Sequence, residues 1–177
     1  AGAWDWRMGF DVMQAAALDV VTRQLAGCAS SEAGLAVVEA LAANLPTETR
    51  RSERQMQLQQ FSTALPSGCI VAQAGDVHSS DVVLEPSAGT GCLAALGQAS
   101  VGAAFGPKPK MLLNEIDETR RALLGGLITG DVTAHDGEFI DDLLERCADP
   151  SLVVMNPPFA SSVARSADKT IAIRHVL

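Results

Sequence analysis

The most specific chemical pattern in the sequence is Asn156-Pro-Pro-Phe159. Two consecutive prolines fix the backbone torsions and remove two N–H donors, so carbonyl oxygens remain as acceptors at this corner. The Asn156 side-chain oxygen and the Pro157 carbonyl can then accept both hydrogens of an exocyclic amine, and Phe159 offers a flat face on which a base can stack. The pattern predicts an amine-binding corner after a strand. A rigid turn without chemistry is the alternative that the motif alone leaves open.

A second pattern lies upstream, between Asp81 and Ala94. The apolar run 82–84 is typical of a strand buried in a parallel sheet, and an acid, a proline and two glycines end it abruptly. Gly89 and Gly91 let the backbone approach a ligand, and the N–H groups of the following helix start make the turn partly positive. The glycines also fit the dinucleotide pattern G-x-G-x-x-A. Because the carboxylate of Glu85 would repel a pyrophosphate, we expect a ligand with an ammonium group instead.

A third pattern is the acidic segment 111–117, at the distance expected for the next strand of a β-α-β unit. Its Glu115 can accept hydrogen bonds from ribose hydroxyls. Glu-Pro-Ser-x-Gly-x-Gly, then Glu-Ile-Asp, then Asn-Pro-Pro-Phe, in this order, resembles the class I S-adenosylmethionine-dependent amino-methyltransferases. The chain is most similar to the methylase part of phage- and plasmid-borne proteins that join a DNA methyltransferase to a strawberry-notch-like helicase. The resemblance is carried by segments 51–53, 58–63, 83–91, 114–117, 135–144 and 154–159.

The resemblance implies methylation of the N6 amino group of adenine in DNA, with S-adenosylmethionine as the cofactor. The catalytic residues that it implies are Asn156, Pro157, Pro158 and Phe159. The cofactor-binding residues that it implies are Phe61, Ser62, Thr63, Glu85, Pro86, Ser87, Gly89, Gly91, Glu115, Ile116 and Asp136.

Within that set, the resemblance implies that Glu85 and the glycine turn face the methionine end, that Glu115 binds the ribose, and that Ile116 packs on the adenine. Asp136 is the implied acceptor of the adenine amine, in preference to Asp131, which is expected at a strand entry. A helix N-cap is the alternative role for Asp136. The segment 61–63 corresponds to a lid in which the family's Thr-Pro-Pro has become Thr63-Ala-Leu-Pro.

The elements that must position these residues follow from hydrophobic periodicity and from turn residues. Three helices, over residues 5–26, 31–45 and 47–61, predict an N-terminal helical extension spanning residues 1–62. Residues 63–177 predict a methyltransferase core of the Rossmann-like α/β class, doubly wound and mostly parallel. Its strands are expected at 82–84, 111–114, 131–134 and 151–155. Its helices are expected near 70–73, 92–99, 118–124, 138–147 and 167–177.

The resemblance also implies three more strands after the one that delivers Asn156. Only a short helix is predicted in the residues that follow. The core is therefore expected to be truncated after its fourth strand, with an incomplete acceptor pocket and doubtful activity for this chain by itself.

Composition limits the function classes. The chain of 177 residues is 47% hydrophobic and 19% charged, with a net charge of −8, which disfavours coating of nucleic acid by bulk electrostatics. A base-flipping enzyme needs only a local basic patch. The candidate patches are Arg50, Arg51 and Arg54; Lys108 and Lys110; and Arg165, Lys169 and Arg174. Scattered cysteines and the lack of a long apolar run predict a cytoplasmic protein without structural metal or membrane association.

Other functions stay open from the sequence. The same Asn-Pro-Pro-Phe chemistry serves methyltransferases that act on guanine N2 of ribosomal RNA or on glutamine of release factors. A non-catalytic, methylase-like module that binds cofactor or DNA, or docks a helicase, is an alternative from another class. A nicotinamide-dependent dehydrogenase is a more remote one.

Overall fold

The computed structural model describes residues 5–48, 60–101, 107–143 and 149–157, and its centre is a parallel sheet. The strands are β1 (Val82–Glu85), β2 (Lys110–Asn114), β3 (Asp131–Thr133) and β4 (Leu152–Val153). Their order is β3-β2-β1-β4, and β1 pairs in parallel with both β2 and β4. Parallel neighbours require crossover connections, which the helices supply. The α/β expectation is confirmed, and the architecture is compatible with a Rossmann-like fold.

Six α-helices surround this sheet in the described part of the chain. They are α1 (Trp6–Leu25), α2 (Ser31–Ala42), α3 (Leu65–Ala74), α4 (Cys92–Ser100), α5 (Glu118–Leu127) and α6 (Ile140–Leu143), the last preceded by a 3-10 turn over Gly137–Phe139. Side chains of Asp5, Ser30 and Asp117 cap the N-termini of α1, α2 and α5. These short polar residues accept the N–H groups that a helix start leaves unpaired.

The N-terminal helices share their core with the sheet. Helix α1 packs against both α4 and α5, while α2 packs against α1 and α3. The largest fully buried members of this core are Leu18, Val21, Val38, Val83, Leu96, Met111, Leu113 and Leu124. The predicted helical extension is thus packed directly onto the elements that carry the glycine turn.

Several element boundaries differ from the sequence prediction. Helix α5 continues through Gly125 and Gly126, which were expected to end it, because Leu124 is buried and Leu127 packs against the core. The helix expected over 138–147 begins instead as the 3-10 turn and becomes α-helical at Ile140. In the helix expected over 47–61, residues 47–48 and 60–61 are not helical. Residues 49–59 and the helix expected over 167–177 lie outside the described residues.

Candidate functional site

The sheet order brings the three sequence patterns to one edge. The turn 86–91 follows β1, Glu115 follows β2, and Asn156 lies three residues after β4. Because β2 and β4 are the two parallel neighbours of β1, the carboxyl ends of all three strands meet there. Ligands of open α/β sheets bind at this edge. We call it the carboxyl edge.

The turn requires glycine at positions 89 and 91 for different structural reasons. Both have positive φ angles, +58° at Gly89 and +95° at Gly91, which favour glycine. A Cβ on Gly89 would meet no described atom closer than 3.9 Å. A Cβ on Gly91 would lie 2.7 Å from Leu124 and 2.9 Å from Ile128, so this glycine permits close packing of the turn against α5. Only Gly89 leaves room for a ligand beside the backbone.

Glu85 lies beneath the turn and is 2% exposed. Its Oε2 accepts the N–H of Ala94 at 3.0 Å, in the first turn of α4, whose N-cap Gly91 has no side chain to do so. Burial raises the pKa of Glu85 well above its ordinary value, and the charge of Glu115 adds to the rise. The structure therefore places the carboxylate expected to meet an ammonium group inside the protein, where it completes the start of α4.

Glu115 is held at the carboxyl edge by backbone donors. Oε2 accepts the N–H of Gly89 at 2.8 Å, and Oε1 accepts the N–H of Asp117 at 2.7 Å. Burial raises the pKa of Glu115, while these two N–H groups and the charge of Arg120 counteract the rise. Each carboxylate oxygen can accept more than one hydrogen bond, so both keep acceptor capacity. This contact also links the ends of β1 and β2 directly.

Asn114 is a site residue that the sequence analysis named only as part of a motif. It is 2% exposed, and its Nδ2 donates to the carbonyls of Pro86 and His135 at 2.9 and 3.0 Å. Its Oδ1 accepts from the Thr133 hydroxyl and from the His135 N–H at 2.7 and 2.8 Å. One amide thus fixes the ends of three strands. The sequence did contain a signal for this role, because an asparagine that ends a buried strand needs hydrogen-bond partners for its amide.

Asn156 contacts the predicted lid segment. Its Nδ2 donates to Thr63 Oγ1 at 3.2 Å and, more weakly, to the carbonyl of Phe61 at 3.5 Å. The lid therefore holds the amide nitrogen, whereas the predicted chemistry uses the amide oxygen. Pro157 is half-buried beside it. Pro158 and Phe159 lie outside the described residues.

A cavity of about 320 Å³ lies between α1, the end of α2 and the lid, and Thr90 and Cys92 reach it from the turn. Gln14 of α1 connects its walls, because Gln14 Oε1 accepts from Ser62 Oγ at 2.9 Å and from Thr90 Oγ1 at 3.4 Å. All three predicted lid residues line this cavity. Cys92 is buried, and burial and the neighbouring Glu85 charge raise the pKa of its thiol to about 12.

The remaining predicted cofactor residues flank the edge. Pro86 is buried and Ser87 is half-buried in the turn, while Ile116 is 47% exposed directly after Glu115. Asp136 is exposed after β3, and its carbonyl accepts the Phe139 N–H, which agrees with a helix-start role as well as with a ligand contact. Phe139, which the sequence analysis did not select, is 53% exposed.

Ion pairs tie helix α1 to the segment that follows β2. Arg7 donates to Asp117 Oδ2 at 2.9 Å, and the Arg120 guanidinium pairs with Asp11 at 3.0 Å. Burial alone would raise the pKa of Asp117, but the hydrogen bond from Arg7, the Arg120 backbone N–H and the Arg7 charge lower it to about 2. The anchor of this segment is therefore ionised throughout the physiological pH range.

Other predicted surface features lie away from the edge. Lys110 begins β2, so the patch that it forms with Lys108 is at the opposite end of the sheet. The other two basic patches lie outside the described residues. Within the part of the chain that the structure describes, no group of three or more His, Cys, Asp or Glu side chains is arranged to hold a metal ion. No helix in the same ranges has the length and apolar character needed to cross a membrane.

Comparison of the sequence with models of known protein families gives no match, and comparison with curated proteins gives none either.

Proposed function

We propose that the protein is an S-adenosylmethionine-dependent methyltransferase that acts on an exocyclic amine, most specifically N6 of adenine in DNA. The observation that supports this most strongly is the meeting of Gly89, Glu115 and Asn156 at one sheet edge, although 67 residues separate the first from the last. The choice of DNA adenine rests on the resemblance of the three sequence patterns and of the surrounding segments.

The residues at the end of β2 fit the nucleoside part of the cofactor. The Glu115 carboxylate is fixed by two backbone N–H groups and keeps acceptor capacity for ribose hydroxyls. Ile116 presents exposed apolar surface next to it, which suits an adenine ring. Glu85 does not fit as a direct ammonium ligand, because it is buried and bound to Ala94.

When bound, the cofactor supplies an electrophilic methyl group on a sulfonium sulfur. The protein's part is to orient the acceptor amine. Thr63 and Phe61 hold the Asn156 amide nitrogen, which leaves its oxygen to accept one amine hydrogen, and the Pro157 carbonyl accepts the other. These bonds direct the nitrogen lone pair toward the methyl group. The cofactor, held by Glu115 and the Gly89 turn, would supply the methyl group with its sulfur as the leaving group, and the amine would give its proton to solvent. Alignment of this kind can contribute about 7–11 kcal/mol.

The test is transfer of a radiolabelled methyl group to duplex DNA, ribosomal RNA and release factor, offered separately. We expect label in DNA, on adenine N6, and a loss of about 100- to 1,000-fold in the Asn156→Ala variant, the scale seen when an orienting polar group is removed. Asn44→Ala is the matched control, because Asn44 is an exposed asparagine at the end of α2. Label in RNA or protein alone would overturn the DNA assignment. Binding of S-adenosylmethionine without transfer to any acceptor would instead support a non-catalytic module.

A further inference from the structure

Asp11 of α1 and Arg120 of α5 form a buried ion pair across 109 residues of sequence. Arg120 Nε donates to Asp11 Oδ1 at 3.1 Å, and Arg120 Nη2 lies 3.0 Å from the same oxygen. The two side chains are 1% and 3% exposed. This pair is therefore a fixed part of the interior rather than a surface contact.

The Asp11–Arg120 pair leaves polar atoms without hydrogen bonds, which is unfavourable if its only role is structural. Asp11 Oδ2 and Arg120 Nη2 are both buried without a hydrogen-bond partner among the described residues, and Arg7 Nε is 3.9 Å from Asp11 Oδ2. Removing two charges from water is costly, and well-packed apolar residues often replace such pairs without loss of stability. Stability alone is thus a weak reason for two charges at this position.

The guanidinium lies close to the carboxyl edge. Arg120 Nη1 is 3.9 Å from the place where a Cβ on Gly89 would stand, and Gly89 donates its N–H to Glu115. Yet no ion pair within 4.0 Å joins Arg120 to Glu115, both of which the structure describes. The cation acts on Glu115 through space and lowers its pKa, while its own hydrogen bond goes to Asp11.

We propose that Asp11 is a positioning residue for the cofactor site: it holds Arg120 beside the Gly89–Glu115 hydrogen bond and keeps that guanidinium from pairing with Glu115. The inference rests on the proposed function for the identity of the ligand, an adenosyl group. It makes helix α1 part of the site, although α1 contributes no residue to the turn. The other charged groups that face Glu115 are Asp117, which Arg7 of α1 pairs with, Arg121, which donates to the Glu115 carbonyl, and Glu85 beneath the turn.

Removal of Asp11 and removal of Arg120 should shift the pKa of Glu115 in opposite directions. Without the Asp11 charge, Arg120 is an unpaired buried cation, and the nearby Glu115 is the carboxylate that it can turn to. The Glu115 pKa then falls, and the acceptor oxygens meant for ribose become occupied. Without Arg120, Glu115 loses the cation that opposes its burial, and its pKa rises.

The direct test is a carbon-13 NMR titration of the Glu115 side-chain carboxyl, assigned with Glu115→Gln, in the ligand-free full chain. We expect the midpoint to move to lower pH in Asp11→Asn and to higher pH in Arg120→Gln. Arg120→Lys, which keeps a positive charge, should return the midpoint toward that of the wild type. The lost charges acting through space would give the same two signs, so the deciding comparison is the double variant Asp11→Asn/Arg120→Gln. The positioning role predicts that Asp11→Asn no longer lowers the midpoint once Arg120 is absent, whereas an equal lowering with and without Arg120 would overturn the proposal. Equal directions or unchanged midpoints would overturn the proposal.

A calorimetric titration with S-adenosylhomocysteine separates this inference from the proposed function. We expect about 10-fold weaker binding in Asp11→Asn, the scale of one hydrogen bond to a charged group. Asp19→Asn is the control, because Asp19 forms an exposed pair with Arg23 on the same helix. If the wild type binds no S-adenosylhomocysteine while the Asp11→Asn shift of the Glu115 midpoint requires Arg120, the proposed function fails and the positioning role stands. If the wild type binds it while the midpoints stay unmoved, the proposed function stands and the positioning role fails.

Discussion

The ends of β1 and β2 carry the same side chain but use it differently. Glu85 is turned under the glycine turn and accepts one N–H of α4, so it completes the fold. Glu115 lies between two backbone N–H groups from different segments, next to an exposed isoleucine and near a buried cation. Both carboxylates are buried, at 2% and 6% exposure, so what distinguishes Glu115 is its place at the carboxyl edge, next to the exposed Ile116, rather than beneath the turn.

The segments that follow β1 and β2 also differ in the interactions that hold them in place. The turn after β1 is secured by apolar packing of Gly91 against Leu124 of α5 and against Ile128, which follows that helix. The segment after β2 is secured by ion pairs from α1, through Arg7 to Asp117 and through Asp11 to Arg120. Damage to the first should therefore appear mainly in stability, whereas damage to the buried ion pairs of the second should change ligand affinity as well as stability.

The largest expected effect is a loss of stability on substitution of Gly91 in the turn after β1. Gly91→Ala should lower the free energy of unfolding by about 3 kcal/mol, because the left-handed torsion costs about 1–2 kcal/mol and the clash with α5 adds an overpacking cost of similar size. Gly89→Ala, which meets the torsional cost but has room for a methyl group, should lose only about 1–2 kcal/mol. Urea unfolding followed by circular dichroism measures both. Equal losses in the two variants would show that Gly91 is not a packing glycine.

A smaller effect is expected on ligand affinity when Glu115, at the end of β2, is substituted. Glu115→Gln keeps the size of the side chain but removes its charge and one acceptor. We expect S-adenosylhomocysteine to bind about 10- to 100-fold more weakly, the equivalent of about 1.5–3 kcal/mol for hydrogen bonds to a charged group. Glu118→Gln, an exposed glutamate three residues along the chain, is the matched control and should bind like the wild type. Calorimetric titration provides the comparison, and an unchanged affinity in Glu115→Gln would remove this residue from the site.

The smallest effect concerns Glu85. Its raised pKa means that the folded protein binds a proton there more tightly than the unfolded chain does. That contribution to stability is fully present below the unfolded pKa and is lost as the pH rises through the folded pKa. Glu85→Gln, which can still accept from Ala94, should therefore be more stable than the wild type at neutral pH, by about 1 kcal/mol, and the advantage should shrink in acid. A stability difference that does not change with pH would contradict this role of Glu85.

The sequence was sufficient for features that depend on neighbouring residues. The apolar runs and the turn residues located β1 to β4 within about two residues, and the polar segments after them gave the carboxyl edge. The first two helices were predicted to start at residues 5 and 31, and the structure begins α1 at Trp6 and α2 at Ser31, with Asp5 and Ser30 as the caps.

The remaining features depend on partners distant in sequence. Whether Glu85 faces a ligand or α4 depends on the burial of the turn, and the role of Asn114 depends on a third strand about 20 residues later. The ion pairs of α1 join residues more than 100 positions apart. No local pattern in α1 distinguishes Asp11, which is buried, from Asp19, which is on the surface.

The identity of the ligand that binds at the carboxyl edge distinguishes methyl transfer from the other functions. The most direct measurement is a crystal structure of the chain with S-adenosylhomocysteine. We expect the ribose hydroxyls within hydrogen-bond distance of the Glu115 carboxylate, and the sulfur between the Gly89 turn and Asn156. A ligand seated with its ribose away from Glu115, or a sulfur that Asn156 does not face, would contradict the proposed methyl transfer.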